Sequence, residues 1–155
     1  MPTIFESGDI FATKNLRAIA HGCNCAGAMG KGIALSFKKR WPNMYSEYRQ
    51  RCISGEFGLG DVLIWEEDGV MVFNLGTQVT WRARAQLWAI EQGLIHVIRE
   101  CELLQIAEVA LPRIGSGLGG LEWSVVRSLM MDIGSRTQVK LRVCENFIEG
   151  KPLTV

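Results

Sequence analysis

Two clusters of small residues stand out as places where the backbone itself can do chemistry. One is Ala26-Gly27-Ala28-Met29-Gly30-Lys31-Gly32-Ile33-Ala34, and the other is Gly115-Ser116-Gly117-Leu118-Gly119-Gly120. Glycine tolerates positive φ and lets the main chain approach a ligand closely, so such a run can turn several N–H groups onto one anion. A helix that follows adds its own unpaired N–H groups and the positive end of its dipole, with no lysine required. The first cluster is not a triphosphate loop, because Lys31 is followed by Gly32 rather than by a hydroxyl that would hold magnesium. It does not fit the dinucleotide pattern Gly-x-Gly-x-x-Gly with a downstream ribose-binding acid either. Taken singly, each cluster also reads as a set of tight turns.

A few side chains near these clusters have chemistry of their own. The Asn24 amide donates and accepts, which suits a ribose hydroxyl or an attacking water; the alternative is an asparagine that satisfies its own turn. His21 titrates near neutrality and is a candidate acid or base. It ends an apolar stretch, however, where a buried structural imidazole is the ordinary outcome. His21-x-Cys23-x-Cys25 lacks the spacing of a zinc pair and has no second pair, so no metal and no cofactor is expected. Trp81, followed by Arg82 and Arg84, can stack on a base or grip a phosphate, or can be a packed helix start with solvated arginines.

These groups need elements to hold them. Thr3 to Glu6 and Leu16 to His21 read as strands, with residues 22–32 as the loop between the second strand and a helix over Ile33 to Arg40. Trp41-Pro42 stops that helix, and Asn43 to Ile53 forms another. Val62 to Trp65 and Val70 to Leu75 make a hairpin around Asp68-Gly69. Apolar spacing predicts a long helix from Ala83 to Leu104. Ala107 to Leu111 is an apolar strand halted by Pro112, Glu122 to Ile133 a helix, and Val139 to Cys144 the last strand. Strands this apolar are covered on both faces. The expected fold is an α/β, three-layer α/β/α sandwich with a mixed central sheet whose antiparallel part is the hairpin.

The chain of 155 residues has the size of one domain, and no linker or repeat divides residues 1–155. Its net charge of +1 argues against a general duplex binder, which needs a basic excess. No apolar run approaches the roughly 20 residues of a membrane span, and the first residues do not resemble a secretory signal. With 5 cysteines in no scaffold-like spacing, the expectation is a cytoplasmic protein with free thiols and no membrane partner.

Read together and in order, four segments resemble the macrodomain family over nearly the whole chain. They are Gly8-Asp9-Ile10, His21-x-x-Asn24, Met29-Gly30-Lys31-Gly32-Ile33-Ala34 and Pro112-Arg113-Ile114-Gly115-Ser116-Gly117-Leu118. The resemblance is to the branch with terminal ADP-ribose–glutamate hydrolases, DNA-directed antitoxins and ADP-ribose 1''-phosphate phosphatases. It implies that ADP-ribose, free or carried by a protein or nucleic acid, is the partner. It assigns Asp9 to the adenine amino group and Ile10 to the same base. Gly30, Gly32 and Ile33 then lie along the distal ribose and diphosphate, and Gly115, Ser116, Gly117, Leu118 and Gly119 close on the diphosphate from the other side. Phe147, taken to lie just after the last strand, stacks on adenine or packs at the edge. Asn24 meets the distal ribose, and Trp81 with Arg82 borders the pocket.

The sequence also departs from that branch. Where the hydrolases carry a catalytic lysine, the resemblance places Gln78, and where the glutamate hydrolase has an aspartate it places Gly119. A glutamine amide neither attacks a ribose aldehyde carbon nor carries charge. Hydrolysis of an ADP-ribosyl linkage or of the 1''-phosphate then has to proceed without that lysine, with Asn24 orienting water. The alternatives are a reader that binds ADP-ribose without chemistry, and a single-stranded nucleic-acid binder built on Trp81, Arg82 and Arg84.

Overall fold

The computed structural model describes residues 3–155. Six strands form one sheet in the order β1-β6-β5-β2-β4-β3. They are β1 (Ile4–Gly8), β2 (Ala18–Asn24), β3 (Val62–Glu67), β4 (Val70–Gln78), β5 (Glu108–Leu111) and β6 (Lys140–Phe147). β1, β6, β5, β2 and β4 run parallel, and β3 pairs antiparallel with β4 at the edge. The hairpin turn is Asp68-Gly69, both residues at positive φ (53° and 78°), which is the combination a two-residue turn between twisted strands requires.

Four helices cover the sheet: α1 (Gly32–Arg40), α2 (Pro42–Ile53), α3 (Leu87–Leu103) and α4 (Trp123–Gly134). Alternation along the strands decides which face meets which helix. Ala18, Ala20, Phe73, Leu75, Val109 and Leu111 pack with Ile90, Leu94 and Val97 of α3 and Val126 and Met130 of α4. Their neighbours Ile19, Val72 and Ala110 face the other way, onto Phe37 of α1, Met44 of α2 and Trp41 between the two helices. The three-layer sandwich with a mixed sheet is therefore present. Among the described residues no helix is long and apolar enough to cross a membrane.

Several boundaries differ from the sequence reading; β2 starts at Ala18, for instance, and β4 runs on to Gln78. Residues 22–24 belong to β2, not to the loop, because Gly22 and Cys23 pair with Leu75 and Gly76 of β4. Gly22 serves packing there: a Cβ would lie 3.0 Å from the Thr77 hydroxyl. The long helix begins at Leu87 instead of Ala83. Residues before it are tied elsewhere: Ala83 N–H bonds to Thr80, Ala85 N–H to the Gly119 carbonyl at 2.8 Å, and Gln86 N–H to the Thr77 carbonyl at 2.8 Å, while the Ala83 carbonyl accepts from Gln78 Nε2 at 3.1 Å. Phe147 is the last residue of β6, so it ends the strand rather than following it.

Candidate functional site

The carboxyl ends of the five parallel strands deliver Asp9, Asn24, Gln78, Pro112 and Phe147 to one rim, the place where open α/β sheets bind ligands. Two cavities lie there, of about 550 Å³ and about 680 Å³. They share Gly32, Ile33, Pro112, Arg113 and Gly117, so they form one elongated cleft. The first contains the glycine loops, Asn24, Gln78 and Trp81; the second contains Asp9, Ile10, Ser116 and Phe147. The cleft thus collects every residue of the expected site except His21 and Arg82 in its lining.

The loop after β2 is built around Asn24. Its Oδ1 accepts from the N–H groups of Ala26 (3.0 Å) and Ala28 (3.2 Å) and from the Tyr48 hydroxyl (3.0 Å), while Nδ2 donates to the Ala28 carbonyl at 2.7 Å. The side-chain oxygen is spent inside the loop, and one amide hydrogen is what remains for the cleft. The loop then enters α1 at Gly32 (φ 61°), with Lys31 at the cap making no side-chain cap bond. The first N–H groups of that helix are consequently uncapped.

The loop after β5 turns through Gly115 (φ 80°) and closes with Leu121 N–H on the Gly115 carbonyl at 2.9 Å. Among the described residues, the N–H groups of Gly30, Lys31 and Gly32 on one side and Gly117, Leu118 and Gly119 on the other have no protein acceptor. Both sets of residues line the same cleft, and uncommitted backbone donors gathered in this way are the chemistry an anion needs. Lys31 and Arg113 are the charged residues lining the first cavity, and no carboxylate lines it.

In the second cavity Asp9 caps a 3-10 turn at Ile10–Ala12. Its Oδ1 accepts from Phe11 N–H at 2.9 Å and its Oδ2 from Gly150 N–H at 3.1 Å. Each carboxylate oxygen keeps a further acceptor site. Ile10 is buried beneath, and the Phe147 ring stands 69% exposed at the edge.

His21 and Gln78, the acid-base candidate and the position of the missing lysine, are both committed to the fold. His21 lies outside the cleft lining: it is fully buried, stacked on Phe37 at 3.8 Å, and its Nε2 meets Asn74 Oδ1 at 2.6 Å. Burial holds its pKa down to about 4, so the imidazole is neutral and structural, and the catalytic expectation for it is withdrawn. Gln78 does line the cavity, but its Nε2 donates to the carbonyls of Thr80 (3.0 Å) and Ala83 (3.1 Å), bracing residues 79–86. Burial also pushes the Cys25 thiol up to about 11, which keeps it protonated and unreactive. Among the described residues no group of three His, Cys, Asp or Glu side chains is placed to hold a metal.

At the mouth of the first cavity Trp81 is 48% exposed, with Arg82 Cζ 4.6 Å and Lys31 Nζ 5.7 Å from its ring centroid. Arg82 reaches the mouth through this stack and not through the lining. Sequence reasoning missed Tyr48, whose hydroxyl also donates to the Asn24 carbonyl at 2.6 Å. Nothing local marks it, because the contact joins α2 to the end of β2, 24 residues away. It also gave Arg113 and Lys31 no role, although both sit inside the quoted segments.

The comparisons with known proteins agree with this geometry. The Macro domain family model matches residues 20–130. A Mycobacterium tuberculosis protein named DNA ADP-ribosyl glycohydrolase is 39% identical over 131 residues, covering 82% of this chain and 37% of its own length. The chain therefore spans little more than a third of that relative. Human ADP-ribose glycohydrolase OARD1 is 27% identical over 90% of this chain and 88% of its own. Among solved structures, the macrodomain of Thermus aquaticus DarG superposes with a TM-score of 0.81 at 28% identity, covering 91% of this chain and 96% of that one. By the family match, the strand order and the paired glycine loops, the chain belongs to the macrodomain family.

Proposed function

We propose that this macrodomain binds ADP-ribose along the cleft and hydrolyses the bond between its distal ribose and an attached nucleic acid. The observation that carries the reading is the pair of opposed rows of free N–H groups, Gly30 to Gly32 and Gly117 to Gly119, spaced by one cleft. Adenosine occupies the cavity of Asp9, Ile10 and Phe147, and the distal ribose lies toward Asn24, Gln78 and Trp81. A nucleic-acid leaving group is supported by the carboxylate-free cavity, by Lys31 and Arg82 around Trp81, and by the activity named for the Mycobacterium relative. We further take residues 1–155 as one domain, a reading supported by the bridge of Thr154 back to Ser7 at the end of β1. Free thiols fit a reducing cytoplasm.

Neither Gln78 nor Gly119 supplies a reactive group, so catalysis rests on position. The loops fix the diphosphate and with it the distal ribose. The remaining Asn24 amide hydrogen and the substrate's own phosphate orient the attacking water, and Lys31 stabilises charge on the leaving side. The test is turnover of an ADP-ribosylated single-stranded oligonucleotide, an ADP-ribosylated glutamate peptide and ADP-ribose 1''-phosphate at high enzyme concentration. Release of ADP-ribose from the oligonucleotide is the expected result. Tight binding with no turnover of any substrate refutes hydrolysis and leaves the reader, which the locked Gln78 amide favours.

A further inference from the structure

The two halves of the cleft meet at one charged side chain. Arg113 lines both cavities, and the other residues common to them are Gly32, Ile33, Pro112 and Gly117. It is exposed, and among the described residues no carboxylate lies within ion-pair distance and no acceptor takes its side-chain N–H groups. A free arginine is usually a wandering one. This one has a platform: its Cζ lies 4.9 Å from the centroid of the Trp123 ring.

The platform is itself fixed. Trp123 Nε1 donates to Glu145 Oε2 at 2.8 Å, and Arg127 Nε donates to the same oxygen at 2.8 Å. Arg127 in turn lies over Phe5, its Cζ 3.8 Å from that ring. The Trp123 hydrogen bond, with Arg127 beside it and the more distant charge of Arg113, holds the Glu145 carboxyl below its ordinary range, so it stays an anion hydrogen-bonded to Trp123 and Arg127. Glu145 therefore attracts Arg113 through space without closing on it as an ion pair. The guanidinium is steered by a ring face while its donors stay uncommitted.

We propose that Arg113 is the counter-charge for the diphosphate, its forked donors pairing with phosphoryl oxygens where the adenosine half of the cleft joins the distal-ribose half. The inference rests on the reading of the cleft as an ADP-ribose site. Backbone N–H groups supply hydrogen bonds but only partial charge, whereas a diphosphate brings two full negative charges. A guanidinium matches two oxygens at once, which the compact ammonium of Lys31 at the other end of the first cavity does not. The ligand class this residue selects is the nucleoside diphosphate, with or without a distal sugar.

The test is binding of ADP-ribose and ADP by calorimetry and of adenosine by NMR titration, for wild type, Arg113→Ala and Arg113→Lys, at low and high salt. Arg113→Ala is expected to weaken ADP-ribose and ADP alike by roughly 10- to 100-fold, the loss of charged hydrogen bonds. Adenosine affinity is expected to change by less than about 3-fold, because it presents no charge to the guanidinium. Arg113→Lys falls between, and the salt dependence of ADP-ribose binding shrinks in the alanine variant. Unchanged ADP-ribose affinity in Arg113→Ala overturns the proposal, and so does an equal loss for adenosine or a loss confined to ADP-ribose. Failure of wild type to bind ADP or ADP-ribose at all overturns the cleft assignment itself, a different and separable outcome.

Discussion

Replacing Asn24 by alanine is expected to loosen the ligand-free protein and not merely to weaken binding. The side chain accepts from Ala26, Ala28 and Tyr48 and donates to Ala28. The Tyr48 hydroxyl retains the Asn24 carbonyl at 2.6 Å, so it is not stranded. Three bonds are truly lost, at about 1 kcal/mol net for each. Ala26 is exposed and its N–H can turn to water, which trims the total to about 2–3 kcal/mol. For a chain of this size that is a fall in melting temperature of roughly 4–12 °C. Scanning calorimetry without ligand measures it, with Asn24→Asp as a companion. The aspartate keeps the acceptors but sets a carboxylate against the Ala28 carbonyl, so it loses less than alanine. A ligand-free melting temperature within about 1 °C of wild type, with affinity alone reduced, would refute the scaffold role and return Asn24 to the ribose.

Three further outcomes are expected. His21 has a folded pKa of about 4 against an ordinary 6.5, so the unfolded chain binds the proton first as pH falls. Its contribution is present above pH 6.5 and is lost between 6.5 and about 4, up to about 3 kcal/mol in chemical denaturation; a His21→Phe variant with the same loss over that window would assign it elsewhere. At Gly119 a Cβ would lie 2.6 Å from the Gly115 carbonyl oxygen and 2.8 Å from Ala85 Cβ. Gly119→Asp is therefore expected to destabilise by about 1–3 kcal/mol and to add no hydrolysis, and a gain in turnover at wild-type stability contradicts the packing. Trp81→Ala is expected to weaken an ADP-ribosylated oligonucleotide about 5- to 100-fold, the value of one stacked base, while free ADP-ribose binds as before. Equal affinities for the oligonucleotide would remove Trp81 from recognition.

Much of the architecture was legible because its causes are local. Alternating apolar strands, the Asp68-Gly69 turn and the Trp41-Pro42 break each impose their geometry through neighbouring residues. The glycine loops were legible for a similar reason, since the positive φ at Gly27, Gly32, Gly115 and Gly120 leaves few other residue types possible. What failed depended on distant partners. The apolar periodicity of α3 continues back to Ala83, yet the Gln78 amide takes the Ala83 carbonyl a helix would need, and bonds from Ala85 and Gln86 to Gly119 and Thr77 hold the segment outside it. Asn24 looks the same in sequence whether it faces a ligand or its own loop, and Tyr48 and the Ala28 carbonyl decide between them. His21 carries an imidazole into a layer closed by Phe37 and Asn74, which only the packing of α1 on β2 and β4 reveals.

The bond from Ala85 N–H to the Gly119 carbonyl has a thermodynamic consequence. It ties the segment bearing Trp81 to the very turn whose free N–H groups face the cleft, and the Gln78 amide clamps the same segment from below. The two loops thus share one ordering cost. A ligand that stills residues 117–119 has already met part of the entropy needed to still residues 79–86, and whatever docks on Trp81 returns the favour by the same amount. For the substrate proposed above, this coupling predicts that its nucleotide end and its polymer end bind with positive cooperativity, each raising the affinity for the other.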